Sequence, residues 1–416
     1  MSAAPVAIIE EIVDQYFEDA SFLWAQREAA TKAVNHTLYD LAFLDGRIEA
    51  LVDGLRVAGD DGWDLCEAGL DPEDPGTVFT ASVIAFESGD EERMDLVVDA
   101  SGESRTAFRA VVSALGWMDV KQFNALIIGF VSNKSRPYRR LGIAACGIRR
   151  LNPKTYLDQA INSSDMFLRA LALKAVGQLK RIDLLPQLQK HLQHENHDCR
   201  FEAARSALLL GDRSALDTLS AFILSPSKYM LPALQVALRL AENQVAQAWL
   251  KNLSKNPEQR RQMLIGTGIT GNPGYIPMLL KVMRTHALAR AAGNAFAMIT
   301  GINLAEEGLE GLWPDGFEVG PNDDAEDENT EMDPDEDLPW PNVELLAHWW
   351  AQNMQRFEAG TRYLCGLPVS PEHCASVLKT GMQPFRNAAA LELALSEAAT
   401  PYFNTSASGP EQIKRL

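Results

Sequence analysis

This chain of 416 residues has few cysteines and few basic residues near its start. Each of these features excludes a class of protein. The five cysteines are odd in number and scattered, which argues against a disulfide-stapled secreted domain. No stretch approaches 18 consecutive apolar residues, so no transmembrane helix is expected. The first residues carry acids where a signal peptide needs bases. We therefore expect a cytoplasmic protein with no membrane partner.

Motifs of catalysis and cofactor binding are missing as well. The sequence contains no G-x-x-x-x-G-K-[ST], no G-x-S-x-G and no H-E-x-x-H. His191 and His194 lie one turn apart in KHLQHENHDCR, but no second cluster completes a zinc set. Cys365 and Cys374 are interpreted as core or helix-surface residues. The prediction is a chain with no catalytic residue, no cofactor and no metal.

Charge is distributed unevenly along the chain. The net charge is −18, from 38 basic and 56 acidic side chains. Residues 1–133 hold 8 basic and 25 acidic side chains, residues 134–305 hold 24 and 10, and residues 306–416 hold 6 and 21. A basic middle therefore lies between two acidic flanks. Such asymmetry bears on partners and solubility, and it does not bear on the fold.

A pattern of about 30 residues recurs through the basic middle. The run LRALALKAVGQLKRIDLLPQL from Leu168 aligns with CRFEAARSALLLGDRSALDTL from Cys199, and further copies begin at Leu231 and Arg260. Each copy predicts a small-residue helix, a turn and a second leucine-rich helix. No copy can bury its apolar face alone, so a stack must form the core. The recurring arginines are expected to bond within that stack: Arg169, Arg200, Arg260 and Arg290.

This pattern resembles HEAT-like repeats and predicts an all-α protein, a right-handed α-solenoid of helical hairpins. A non-repetitive helical bundle is the alternative. Glycines and prolines from Gly59 to Gly76 predict a loop over 56–77. The predicted organisation is an N-terminal helical cap (1–72), degenerate repeats (73–134), a basic HEAT-like array (135–311), an acidic disordered linker (312–340) and C-terminal helical repeats or cap (341–416).

The acidic linker is the part of the sequence whose composition differs most from that of a folded domain. It carries 12 acids and no base between Asp315 and Asp337. Such a segment cannot bury enough apolar area to fold alone. Two interpretations remain open at this stage: a loose electrostatic cover over the basic repeats, or a solvated linker. Either one predicts that deleting 316–336 leaves thermal stability nearly unchanged.

Several runs together resemble one uncharacterised bacterial family of HEAT-like repeat proteins. They are AFLDGRIEALVDGLRVAGDDGW, DPDEDLPWP into HWW, GTRYLCGLPVS, and GMQPFRNAAALELAL before a basic KRL end. Genes of this family are similar in setting to accessory genes beside type VI secretion spike genes. The resemblance implies an accessory or immunity-type role and carries no catalytic residue across.

Three function hypotheses follow from the sequence. The preferred one is a non-enzymatic protein-interaction scaffold, acting as effector adaptor, chaperone or immunity protein on a secreted effector or spike component. The second is a nucleic-acid binder that uses the basic array and resembles helical-repeat DNA glycosylases; the acidic flanks make nucleic acid an unlikely partner. The third is a repeat-protein lyase or hydroxylase, for which the sequence offers no set of metal or cofactor ligands. The candidate partner-binding residues are Arg136, Arg139, Arg140, Arg149, Arg150, Lys180, Arg181, Arg205 and Arg213.

Overall fold

The computed structural model describes residues 9–320, 332–397 and 400–416, and these residues are almost all helical. They form 22 α-helices and one short β-hairpin. The first twelve helices are α1 (Glu10–Ala30), α2 (Leu38–Ala58), α3 (Asp60–Ala68), α4 (Pro75–Ser88), α5 (Glu91–Ala100), α6 (Arg105–Trp117), α7 (Val120–Ser132), α8 (Arg136–Arg149), α9 (Thr155–Ile161), α10 (Met166–Gln178), α11 (Leu185–Lys190) and α12 (His197–Leu209). The others are α13 (Leu216–Ile223), α14 (Met230–Leu240), α15 (Asn243–Ser254), α16 (Arg260–Thr270), α17 (Ile276–Val282), α18 (His286–Thr300), α19 (Val343–Asn353), α20 (Pro371–Thr380), α21 (Gln383–Ser396) and α22 (Gly409–Arg415).

The chain divides into two compact units. Unit 1 comprises Met1–Asp212 and Glu397–Leu416, and unit 2 comprises Arg213–Ser396. The boundary between Asp212 and Arg213 falls inside the array predicted for 135–311. The chain passes from one unit to the other twice, because the last 20 residues belong to unit 1 again.

Unit 1 is a stack of helical hairpins. One layer is formed by α1, α4, α6, α8, α10 and α12, each packed on the next, while α7, α9 and α11 pack against the helix that follows each of them. Close approach within the layer depends on small residues. A Cβ at Gly177 of α10 would lie 2.5 Å from Oγ of Ser206 in α12. Unit 2 continues the pattern, with α14 on α16 and α16 on α18. The all-α solenoid predicted from the repeat is confirmed.

Hydrophobic periodicity and capping residues explain these helices. Apolar residues on one face of α2 include Leu41, Ile48 and Leu55, which are fully buried. Asp165 caps α10 by accepting the backbone N–H groups of Phe167 and Leu168. Capping satisfies donors that a helix start leaves without partners.

The prediction of a loop over 56–77 is wrong for its central part. Helix α3 occupies Asp60–Ala68, and only the residues between it and Pro75 are irregular. Gly59, at φ 63, does break the chain direction between α2 and α3. Trp63 and Cys66 are buried, so tertiary packing holds a helix where the local composition favoured a turn.

A β-hairpin in unit 2 was not predicted. Strand β1 (Tyr363–Leu364) pairs antiparallel with β2 (Leu367–Pro368). It caps the carboxyl ends of inner helices: backbone N–H groups of Tyr363, Cys365 and Gly366 donate to carbonyls of Gly271, Met298 and Ile299 at 2.8–3.0 Å. These carbonyls close α16 and α18, where helical partners run out.

Candidate protein-interaction surface

The nine predicted partner-binding cations do not form one patch. Arg136, Arg139 and Arg140 lie in the first turns of α8, whereas Arg149 and Arg150 lie at its carboxyl end. A helix of 14 residues separates these groups by about 20 Å. Lys180 and Arg181 follow α10, Arg205 lies in α12, and Arg213 belongs to unit 2.

Arg140 links two neighbouring repeats. Its Nε donates to Oδ2 of Asp165 at 2.7 Å, and its guanidinium lies 5.4 Å from the ring centroid of Phe167. Burial by itself raises the pKa of the Asp165 carboxyl. The hydrogen bonds from Arg140 and from the N–H of Leu168 outweigh burial, so the pKa lies below its ordinary value. Arg140 thus serves the stack, whereas Arg136 is exposed.

Arg149 and Arg150 are also used within unit 1. Nη1 of Arg149 donates to the carbonyl of Gly116 at 2.9 Å, and its guanidinium stacks on Phe123. Arg150 ends α8 at φ 58 and donates to the carbonyls of Gly147 and Tyr402. Burial lowers the pKa of Arg150 to about 10, so the side chain stays charged at neutral pH.

Four more of the nine cations have intramolecular partners. Lys180 is 6% exposed and donates to the carbonyl of Leu209; burial lowers its pKa to about 8. Arg181 pairs with Asp183 at 2.6 Å. Arg205 lies 5.9 Å from the ring centroid of Tyr402. In unit 2, Arg213 donates to the carbonyl of Leu240 at 3.0 Å. Apart from Asp183, which lies two residues from Arg181, these partners lie many residues away or in the backbone, where the sequence does not reveal them.

Two of the four recurring arginines bond within the stack. Arg169 donates to the carbonyl of Ser163 at 2.6 Å and contacts Nε2 of His194 at 2.8 Å, and Arg200 donates to the carbonyl of His194 at 2.7 Å. The expectation is wrong for the other two. Arg260 is exposed, and the neighbouring Arg261 and the recurring Arg290 bond outside the stack, to Asp335 and Asp333 of the acidic segment.

A groove of 470 Å³ lies at the amino ends of α6, α8, α10 and α12, and we call it the amino-end groove. Its floor includes Phe108 and Phe167, whose rings are 4.9 Å apart. Charged residues line its rim: Glu103, Arg105, Arg140 and Asp198. The Arg105 side chain is 67% exposed and faces Asp198 at 3.3 Å, so solvent screens that pair strongly. Sequence reasoning missed Arg105.

Two further features border this groove. Arg109, which also escaped the sequence analysis, is exposed and pairs with Glu28. The repeat spacing was the available signal, since Arg109 lies 31 residues before Arg140. Next to the groove is an open acidic depression of 980 Å³ that shares Glu103 with it and is also lined by Asp71, Asp99 and Leu96. The amino-end face therefore offers apolar, basic and acidic surface side by side.

These stacked hairpins, their linking arginines and their small-residue contacts are features of a known repeat. Residues 153–239 match the HEAT repeats. The match covers α9 to α14, inside the predicted array, and confirms that region as HEAT-like. No curated protein matches the chain at a significant level.

The acidic linker that follows the HEAT array is anchored at both ends. Its residues 321–331 lie outside the described part of the chain. Gly311 donates its N–H to the carbonyl of Trp340 at 2.7 Å, and the Trp313 and Trp340 rings are 5.1 Å apart. Arg290 of α18 lies 5.0 Å from the ring centroid of Trp313.

Two acids of this segment lie against arginines of α16 and α18. Asp335 is 4% exposed and accepts from Nε of Arg261 at 2.8 Å, while Asp333 pairs with Arg290 at 2.6 Å. The prediction of a solvated, disordered linker is wrong for these residues. Composition alone hid the arginines that make their burial favourable.

The histidines and cysteines of the described residues show structural environments. His191 and His194 stack with ring centroids 5.6 Å apart. Burial and the nearby Arg169 lower the pKa of His194. Burial raises the thiol pKa of Cys66 and Cys146 to about 12, so these thiols stay protonated at neutral pH.

No group of three or more metal-ligating side chains is found among the described residues. No described helix has the length and apolarity that crossing a membrane requires.

Proposed function

We propose that this chain is a non-enzymatic scaffold for protein–protein interaction. The single observation that carries the proposal is the HEAT-repeat stack, because HEAT repeats generally bind proteins along their extended surface. The amino-end groove of unit 1 is the surface we assign to the partner. It combines an apolar floor with exposed charge of both signs, which suits a polar protein surface with an apolar anchor.

The finer proposal is an accessory role in type VI secretion. It rests on the family resemblance of the sequence, and the partner would be an effector or a spike component. An adaptor, a chaperone and an immunity protein share one requirement, a direct complex with such a partner. Of the nine sequence-predicted cations, Arg136 is exposed at the amino end of α8, and with Arg105 it forms the proposed contact set.

Co-expression tests both levels of the proposal. The full chain is co-purified with each spike and effector candidate encoded beside its gene, and complexes are measured by size-exclusion chromatography and calorimetry. We expect one complex, weakened at least tenfold by the double variant Arg105→Glu/Arg136→Glu. The matched control is Arg47→Glu, which reverses an exposed charge on α2 outside the groove.

The outcomes separate the two levels. A complex that tolerates the double variant overturns the groove assignment and keeps the scaffold. Absence of a complex with every spike and effector candidate removes the type VI role.

A further inference from the structure

The C-terminal segment, residues 400–416, lies across the carboxyl ends of the unit 1 helices. Its backbone N–H at Tyr402 donates to the carbonyl of Gln178 at 3.1 Å, and Nδ2 of Asn404 donates to the carbonyl of Ile148 at 3.2 Å. These carbonyls end α10 and α8, where the helices cannot supply partners. This face is opposite to the amino-end groove, so the inference below does not rest on the proposed function.

A buried ion pair forms hydrogen bonds with the middle of the segment. Arg27 of α1 and Asp45 of α2 are 3% and 1% exposed, and Nε of Arg27 donates to Oδ1 of Asp45 at 2.9 Å. The two terminal nitrogens of Arg27 donate to the carbonyls of Ser406 and Ala407 at 2.9 and 2.8 Å. The other oxygen of Asp45 accepts the N–H of Gly409.

The pair is oriented by unit 1 itself, before the segment is considered. α1 and α2 pack directly on each other, and the Arg27–Asp45 bond joins them. Two arginine donors and one carboxylate oxygen then point at the segment. Leaving such groups buried without partners is costly. The segment supplies these partners while it covers the pair.

The hydrogen bonds between the segment and the helices involve backbone groups of the segment more than its side chains. The Tyr402, Ser406 and Ala407 carbonyls and the Tyr402 and Gly409 N–H groups all bond to unit 1. Any extended peptide offers such groups.

Side-chain selection acts at Tyr402 and Gly409, beside the bond that Asn404 makes and the buried Thr405 and Gln412. Arg150 and Arg205 lie 5.7 and 5.9 Å from the ring centroid of Tyr402. A Cβ at Gly409 would lie 2.6 Å from the backbone of Ala42.

We propose that this face is a peptide-binding site, occupied in cis by the chain's own C-terminal segment. Its ligand class is a peptide that has an aromatic residue seven positions before a glycine and continues into a short helix, as Tyr402, Gly409 and α22 do. A partner segment of this pattern competes with the C-terminal segment for the Arg27–Asp45 pair. The fit is close: a cavity of only 40 Å³ remains between residues 404–408 and the helices.

Tethering explains why the intact chain keeps its own segment. A segment on a short connection has an effective concentration of about 1 mM. A free peptide of equal intrinsic affinity at about 10 μM loses that competition roughly a hundredfold. Release of the C-terminal segment should therefore expose the site.

The first test uses the full chain with the double substitution Tyr402→Ala/Gly409→Val. The probe is a fluorescent peptide of residues 400–416, and binding is followed by anisotropy. We expect saturable 1:1 binding, at least tenfold tighter than to the intact chain. Ser406→Val is the matched control, because it adds valine at an exposed side chain of the same segment. It should bind no better than the intact chain.

The specificity arm uses a peptide in which the position of Gly409 carries valine. It should bind the double variant at least tenfold more weakly than the natural peptide. Equal affinity of the two peptides, or equal binding of the natural peptide to the intact chain and the double variant, overturns the proposal.

A second test needs no variant. Natural peptide at about 1 mM, near the effective concentration of the tethered segment, should displace it from roughly half of the intact molecules. Hydrogen exchange of the Gly409 amide, which Asp45 holds, should then accelerate at least twofold. The valine peptide should leave that rate unchanged. No acceleration by the natural peptide would show that the segment is a permanent part of the fold.

Discussion

At the scale of single residues, charged side chains of this protein act mainly on other parts of the same chain. Arg140 meets Asp165, Arg261 meets Asp335, and Lys180 meets a helix carbonyl. A buried charge without its partner is costly, so each pair constrains two segments at once. A count of basic residues consequently overstates the charge available to an external partner.

Asp335 offers a direct test of this view. We expect Asp335→Ala to lower the free energy of unfolding by about 2 kcal/mol, because it removes the buried carboxylate that accepts two hydrogen bonds from the half-buried Arg261. Urea unfolding followed by circular dichroism measures the change. Asp337→Ala, an exposed acid two residues later, should change it by less than about 0.5 kcal/mol. Equal effects of the two substitutions would restore the solvated-linker interpretation of this segment.

At the scale of elements, both units close the carboxyl ends of inner helices with non-helical chain. In unit 2 the β-hairpin does so, and in unit 1 the C-terminal segment does so. The hairpin turns at Cys365 and Gly366, with φ of 48 and 82. Positive φ at both turn positions fits the twist of a tight hairpin.

Gly366 should be the most sensitive position of this hairpin. A Cβ there would lie 2.5 Å from the carbonyl oxygen of Thr300, so Gly366→Ala should lower the free energy of unfolding by about 2–3 kcal/mol. Gly360 also has positive φ, at 83, but nothing lies within 4 Å of a Cβ there. Gly360→Ala should therefore cost only about 1 kcal/mol of backbone strain. The denaturant midpoints of the two variants measure this difference in stability. Indistinguishable midpoints would refute the close packing at Gly366.

At the scale of the whole molecule, charge asymmetry is the property that a partner meets first. The net charge of −18 combines two acidic flanks with a middle that holds 24 basic residues. In the structure, many of these cations are already paired with carboxylates or carbonyls. Long-range attraction of phosphate is correspondingly weak.

We expect no tight nucleic-acid binding at physiological salt. Anisotropy with a labelled DNA duplex and an RNA of similar length, at about 150 mM salt, should give dissociation constants weaker than about 10 μM. The Arg105→Glu/Arg136→Glu variant should behave like the natural chain. Sub-micromolar binding with a steep salt slope would instead favour the nucleic-acid hypothesis.

The amino-acid sequence alone determined the helical hairpins, through the spacing of its apolar residues, its small residues and its turn residues. It could do so because a helical hairpin depends on residues three or four positions apart. The repeat spacing of about 30 residues also located Arg169 and Arg200 within the stack.

Tertiary structure alone decided α3, the β-hairpin, the burial of Asp333 and Asp335, and the place of the C-terminal segment. Each of these depends on partners far along the chain, as Arg27 does on Ser406. Local composition does not record such partners, since the free energy of a buried charge or an uncapped helix end depends on whichever distant segment reaches it.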